Sequence, residues 1–251
     1  MNKYNKNRCL LIGGWFALAA AIMSLPARAD DKSDEYRVTV FPSYALTEDK
    51  KWIGIGYLGY VTNDDEQYDI TYLGLGTIWR FRERAELWGV VLNVRTDNEE
   101  STDINEYRPL VGLKNYFTRS GRLTFYNLAR MEYRIQDRDV GEDTEFFRFR
   151  DRLGTEFALT QKANEAGAWY GLADAEAFYR FDRDMSDLAR LRIGLGYVFG
   201  ELVRAELIYH MQFTRAAGES FDWTDNIWRL NFKVARQHGL LSRLAHGDDF
   251  E

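Results

Sequence analysis

Between Phe146 and Leu159 the chain reads Phe-Phe-Arg-Phe-Arg-Asp-Arg-Leu-Gly-Thr-Glu-Phe-Ala-Leu, with charged and apolar residues on alternate positions. Arg148, Arg150, Arg152 and Glu156 share one parity; Phe147, Phe149, Leu153, Phe157 and Leu159 share the other. A strand sends successive side chains to opposite faces, so this segment is apolar on one side and charged on the other. A helix would mix the two sets.

The rule recurs. Leu123, Phe125, Ala129, Met131, Tyr133 and Ile135 oppose Arg122, Arg130, Glu132 and Arg134. Leu191, Ile193, Leu195, Tyr197 and Phe199 oppose Arg190, Arg192, Gly194 and Gly196. Val203, Ala205, Leu207, Tyr209, Met211 and Phe213 oppose Arg204, Glu206, His210 and Gln212, and Trp228, Leu230, Phe232 and Val234 oppose Arg229, Asn231 and Lys233. A charge facing lipid at the bilayer midplane costs about 2–4 kcal/mol, so the charged faces are expected to turn inward. A soluble barrel or sandwich with its polar face in water is the competing arrangement.

Eleven strand candidates follow one another with turn signals between them. They are Tyr36–Leu46, Trp52–Val61, Tyr68–Trp79, Ala85–Arg95, Asn105–Phe117, Arg122–Gln136, Glu145–Thr160, Ala168–Phe181, Leu188–Phe199, Leu202–Thr214 and Asp225–Ala235. Many reach the roughly 9–11 residues that a tilted strand needs to cross a bilayer. Bacterial single-chain barrels have even strand numbers. Ten or twelve wall strands are therefore expected, with Tyr36–Leu46, interrupted by Pro42, the segment in question. The connections alternate: Arg119-Ser120-Gly121 and Phe199-Gly200-Glu201 are tight, whereas 97–103, 137–143, 182–187 and 215–224 are longer and mostly acidic. Short periplasmic turns and longer outer loops have this pattern.

Lys3, Lys6 and Arg8 precede an apolar stretch from Cys9 to Leu25, and Pro26-Ala27-Arg28-Ala29 ends in a small-x-small pattern. A cleaved export signal over residues 1–29 is expected, with the barrel at 30–236 and a periplasmic tail at 237–251. Removing the signal takes Cys9, the chain's one cysteine, and leaves 29 basic against 39 acidic residues, a formal charge of −10. That excludes thiolate chemistry and disfavours nucleic acid as a partner. Mean hydropathy is −0.45, which strands apolar on one face only still allow. Aromatic content of 15% with only 3 prolines suits many strands and few breaks.

The expected fold is an all-β transmembrane barrel of about 10–12 strands in a bacterial outer membrane. Its charged lining is Arg130, Glu132, Arg134, Arg148, Arg150, Arg152, Glu156, Glu176, Arg190, Arg192, Arg204, Glu206 and Arg229. Such a lining is either a packed ion-pair network, leaving a structural barrel or narrow passage, or the wall of an anion-favouring pore. The expected partners are outer-membrane lipid, lipopolysaccharide and the assembly machinery, with the chain a monomer.

No enzyme, metal or cofactor is expected. Beyond the signal the histidines are His210, His238 and His246, and no His-x-Ser pair accompanies His210. A lipid-modifying hydrolase or acyltransferase is the weaker alternative. Asp64-Asp65-Glu66 and Glu99-Glu100 lack the spacing of a calcium loop. The Gly-x-Gly pairs at 54/56, 74/76 and 194/196 open no helix and are expected to relieve crowding in strands.

Several segments resemble one family. They are Asn105-Glu106-Tyr107-Arg108-Pro109, Arg130-Met131-Glu132-Tyr133-Arg134, Arg148-Phe149-Arg150, Glu176-Ala177-Phe178 and Arg190-Leu191-Arg192-Ile193-Gly194-Leu195-Gly196-Tyr197. Together they are similar to the bacterial outer-membrane family named domain of unknown function 2490. The resemblance implies a Gram-negative outer-membrane barrel and brings no activity or catalytic residue. His210 and the residues after Arg236 depart from the expected pattern, leaving Trp228 to Val234 as the internal candidate for an assembly signal.

Overall fold

The computed structural model describes residues 32–63, 67–99, 102–120, 122–160, 165–183, 185–216 and 219–236. The expected signal at 1–29 and tail at 237–251 lie outside the described residues. Eleven strands, and no helix among the described residues, follow in chain order: β1 (Ser33–Ala45), β2 (Trp52–Asn63), β3 (Tyr68–Arg82), β4 (Ala85–Asn98), β5 (Ile104–Ser120), β6 (Leu123–Arg138), β7 (Thr144–Ala158), β8 (Trp169–Arg180), β9 (Met185–Val198), β10 (Val203–Thr214) and β11 (Asp222–Ala235). Each pairs with its sequence neighbours, and β1 closes onto β11 in a complete barrel. Closure leaves no edge strand with unpaired backbone groups.

The count lies within the expected range of about 10–12, but it is odd where an even ten or twelve was expected. In an up-and-down meander of odd number the first and last strands run the same way, and here β1 and β11 pair in parallel from Ser33↔Asp225 to Ser43↔Ala235. Every other neighbouring pair is antiparallel. Tyr36–Leu46 is thus a wall strand despite Pro42. On the β2 side the ladder skips from Val40↔Leu58 to Ser43↔Ile55, where proline offers no donor. Gly56 accommodates the ring, since a Cβ there would lie 2.7 Å from Pro42 Cγ.

We call the end where β1 begins the upper rim. It carries the connections 64–67, 99–103, 139–143, 181–184 and 215–221; the lower rim carries 46–51, 83–84, 121–122, 159–168 and 199–202. The tight turns and the acidic connections do fall on opposite rims. Residues 159–168, however, share the lower rim with the tight turns, so loop length separates the rims less cleanly than the turn signals imply.

The outer surface has three zones. Rings line the lower part: Trp52 stacks on Trp79 at 5.4 Å, and the tilted pairs Phe117–Phe125 and Trp169–Tyr197 lie at 5.1 Å and 4.8 Å. A second set lies higher, with Tyr133–Phe147 at 4.7 Å and Tyr179–Phe181 at 5.2 Å. Exposed aliphatic side chains lie between them, including Leu75 at 73%, Val111 at 58% and Ile193 at 56%. Asp151 breaks this band: it has the parity of Phe149 and Leu153, and Asn127 Nδ2 donates to its Oδ1 at 2.6 Å.

The interior has two sectors. On β2–β4 most inward residues are apolar: Ile53, Ile55, Tyr57, Val61, Tyr72, Ile78, Trp88, Val90, Leu92 and Val94 form one buried cluster with Leu110 of β5. An ion pair, Arg80–Glu86 at 2.5 Å, lies on the same inner face toward the lower rim. From β5 round to β1 the inward face is mostly charged. Some glycines serve close approach, as expected. Tyr170 lies across its register partner Gly196, where a Cβ would meet the ring at 2.1 Å, and Tyr126 lies across Gly154, where the distance would be 2.4 Å.

Candidate functional site

Alternation on β6, β7 and β8 brings their charges to one inner surface. Register sets Arg130 opposite Arg150, Glu132 opposite Arg148 and Arg152 opposite Glu176. Glu132 accepts from Arg148 Nη2 at 2.7 Å and from Arg150 Nη1 at 2.8 Å. Glu176 accepts from Arg150 Nε at 3.1 Å and Nη2 at 3.0 Å, from Arg152 Nη2 at 3.0 Å, and from Arg130 Nη2. Arg150 therefore joins the two glutamates, its flat fork gripping Glu176 with two bonds. Planar guanidinium geometry makes arginine the residue that can do this.

The other expected lining residues form satellite groups. Arg134 Nε donates to Glu106 at 2.8 Å, and Arg192 Nε to Asp174 at 2.6 Å. Glu206 accepts from Tyr170 at 2.9 Å, pairs with Lys233 at 3.0 Å and accepts from Asn231 at 3.3 Å. Arg229 reaches Asn231 at 2.7 Å, Tyr57 at 3.1 Å and Thr39 at 3.2 Å. Arg190 donates to Gln212 Oε1 at 2.7 Å. Arg204 and Glu156 are buried on the same inward face. His210 is buried opposite Arg192 and Ile227; His238 and His246 lie outside the described residues.

Sequence reasoning missed several members. Arg108 donates to Glu106, and Arg37 donates to Glu35, which also accepts from Tyr68 at 2.6 Å. Lys114 is fully buried with its Nζ 4.1 Å from the Tyr126 ring centroid and 5.5 Å from those of Trp88 and Tyr116. The parity of Glu106, Arg108 and Lys114 within one strand was the available signal. Phe178 carried none: its ring holds the guanidinium carbons of Arg150 at 4.5 Å and of Arg148 and Arg190 at 5.1 Å.

Among the buried described side chains, eleven are cationic and eight anionic. Arg130, Arg150, Arg152 and Glu132 are at most 1% exposed, so the described chain covers these four side chains. Among the described residues no group of three potential ligands is placed to hold a metal ion; the acidic 64–66 and Glu100 lie outside them. At the rims, hydrogen bonds from the Thr47 hydroxyl and the Lys51 amide hold the Asp49 carboxyl below its usual range. Arg180 does the same for Asp182.

A family described as Protein of unknown function (DUF2490) matches residues 32–224, nearly the whole barrel. The chain belongs to that family. No curated protein matches this DUF2490 barrel. Among solved structures, an anion-selective porin from Comamonas acidovorans is similar at 10% identity, over 72% of this chain and 55% of that chain, with a TM-score of 0.35. The chain thus spans little more than half the length of that porin.

Proposed function

We propose that this DUF2490 member is an outer-membrane β-barrel packed shut by its arginine and glutamate interior, acting as a structural barrel or a barely conducting passage. The observation that carries this reading is that Arg130, Arg150, Arg152, Glu132 and Glu176 are buried and bonded to one another. A water-filled pore leaves its lining charges accessible. Aromatic girdles flanking an exposed aliphatic band match what a bilayer requires on the outside. Lipid is the expected neighbour of that band, lipopolysaccharide that of the upper rim, and the chain is read as a monomer inserted by the assembly machinery after export.

The surplus of buried cations favours a second reading, a narrow anion-favouring channel that opens when the network rearranges. Liposome swelling separates the two. Vesicles holding the purified protein are expected to stay impermeable to small sugars and anions; swelling at porin-like rates supports the channel. The membrane reading has its own test. The folded protein should require detergent and show a heat-shifted band on a denaturing gel, and a protein soluble without detergent and lacking that shift contradicts it.

A further inference from the structure

Arg130, Arg148, Arg150, Arg152 and Arg190 crowd around two carboxylates, Glu132 and Glu176. Glu176 is the register neighbour of both Arg152 on β7 and Arg190 on β9. Its oxygens are taken by Arg130, Arg150 and Arg152, and Arg190 turns instead to the neutral amide of Gln212. Among the described residues Arg190 makes no salt bridge to a carboxylate, and the nearby charges of Arg37 and Arg150 oppose its own more than the more weakly acting Glu176 and Glu35 favour it. An arginine cannot relieve this by losing its proton. Unneutralised charges in a desolvated interior are costly, and an anion is the remaining remedy.

The place for it is the upper part of the interior beside Phe178. The guanidinium carbons of Arg148 and Arg190 each stand 5.1 Å from the centroid of that ring. Arg148 spends Nε and Nη2 on Glu132, and Arg190 spends Nε on Gln212. Arg148 Nη1 and both Nη groups of Arg190 make no further hydrogen bond among the described residues. Both side chains keep some exposure, unlike the sealed Arg150 behind them. Two guanidinium edges with free donors are chemistry suited to a small oxyanion.

We propose that this mouth binds a small soluble oxyanion of the phosphate type, held by Arg148 and Arg190. The site faces the barrel interior, so the phosphate is free in solution and not carried on a lipid. The proposal rests on the barrel interior and not on whether the barrel conducts, so swelling or conductance results leave it standing.

The test is calorimetric titration of the purified, detergent-folded protein with inorganic phosphate, against chloride at matched ionic strength, together with unfolding midpoints. Saturable phosphate binding that raises the midpoint is expected. Arg190→Gln should weaken it about tenfold or more, by loss of charge-assisted hydrogen bonds. Without phosphate, Arg190→Gln should be at least as stable as the parent, because it removes an unneutralised charge; a purely structural Arg190 would make it less stable. If that variant does not fold, Arg190→Lys keeps the charge without the fork and should bind phosphate more weakly. Equal responses to phosphate and chloride, parental affinity in both variants, or binding only of vesicles containing phosphate-headgroup lipid would overturn the proposal.

Discussion

The β2–β4 sector and the β6–β8 sector hold their strands by different physics. In β6–β8 the inward charges from Arg130 to Arg134, from Arg148 to Arg152, and Asp174 and Glu176 are bonded to partners, and a one-residue slip would send Arg148, Arg150 and Arg152 to the outer face. In β2–β4 both faces are apolar: Leu58, Leu73 and Leu75 outside, Ile55, Tyr57 and Leu92 inside. Polarity cannot tell inside from outside there when lipid is the solvent. Shape does it instead. Gly74 leaves room for Leu92, whose Cδ2 would lie 2.2 Å from an added Cβ, and Tyr57 packs edge-on against Phe41 and Tyr72. The charged sector specifies register by pairing, the apolar sector by fit.

Breaking the pairing should cost most. Glu176→Gln strands Arg130, Arg150 and Arg152 around a neutral amide and is expected to destabilise by about 3–5 kcal/mol. Unfolding midpoints in detergent measure it, and a value near the parental one would show that the network is not what holds β6–β8. Leu92→Ala should cost less, about 2–3 kcal/mol, because on the proposed membrane reading the alternative surrounding is lipid or detergent and not water. Its loss should be insensitive to salt, so a salt-dependent loss would erase the distinction between the sectors.

Gly196→Ala pushes a methyl into Tyr170, which also donates to Glu206, and about 1–3 kcal/mol of overpacking is expected. Pairing it with Tyr170→Phe tests the cause. Removal of the hydroxyl takes away only the contact at 2.5 Å and leaves the ring carbons at 2.1 and 2.3 Å, so a full rescue by that change would point away from the ring. Arg152→Gln should cost only about 1 kcal/mol, since Glu176 keeps Arg130 and Arg150. Cations are in excess, so losing one is milder than losing a carboxylate; equal midpoints for Arg152→Gln and Glu176→Gln would contradict the surplus.

The smallest effect lies on the lower rim. Asp49 has a depressed carboxyl pKa, so its hold on Thr47 and the Lys51 amide is fully present above the ordinary aspartate value. It fades only as pH falls through the lowered value. Protection of the Lys51 amide should therefore stay constant down through mildly acidic pH and drop below it, and a drop near neutrality would be inconsistent with that carboxyl.

Much of this was legible in the sequence wherever charge and alternation coincide. The residues from Arg130 to Arg229 announce their face because an arginine at every second position has no other reading in an extended chain. The β2–β4 interior was not legible, since Ile53, Ile55 and Tyr57 alternate with glycine and Leu58, apolar or small on both parities. The parallel seam left no mark either. It joins the two ends of the barrel without a connection, and turn residues are what reveal pairing. Asp151 shows the opposite case: its parity placed it on the apolar face from the start, and only its bond from Asn127 explains how the wall accommodates it.

Planar-bilayer recording of the purified protein tests the central claim most directly. A barrel closed by Glu132, Glu176 and their arginines should give no steady unitary current across the membrane, in low or high salt, while remaining folded by its heat-shifted band. Stable, reproducible current steps from that same folded protein would contradict the account.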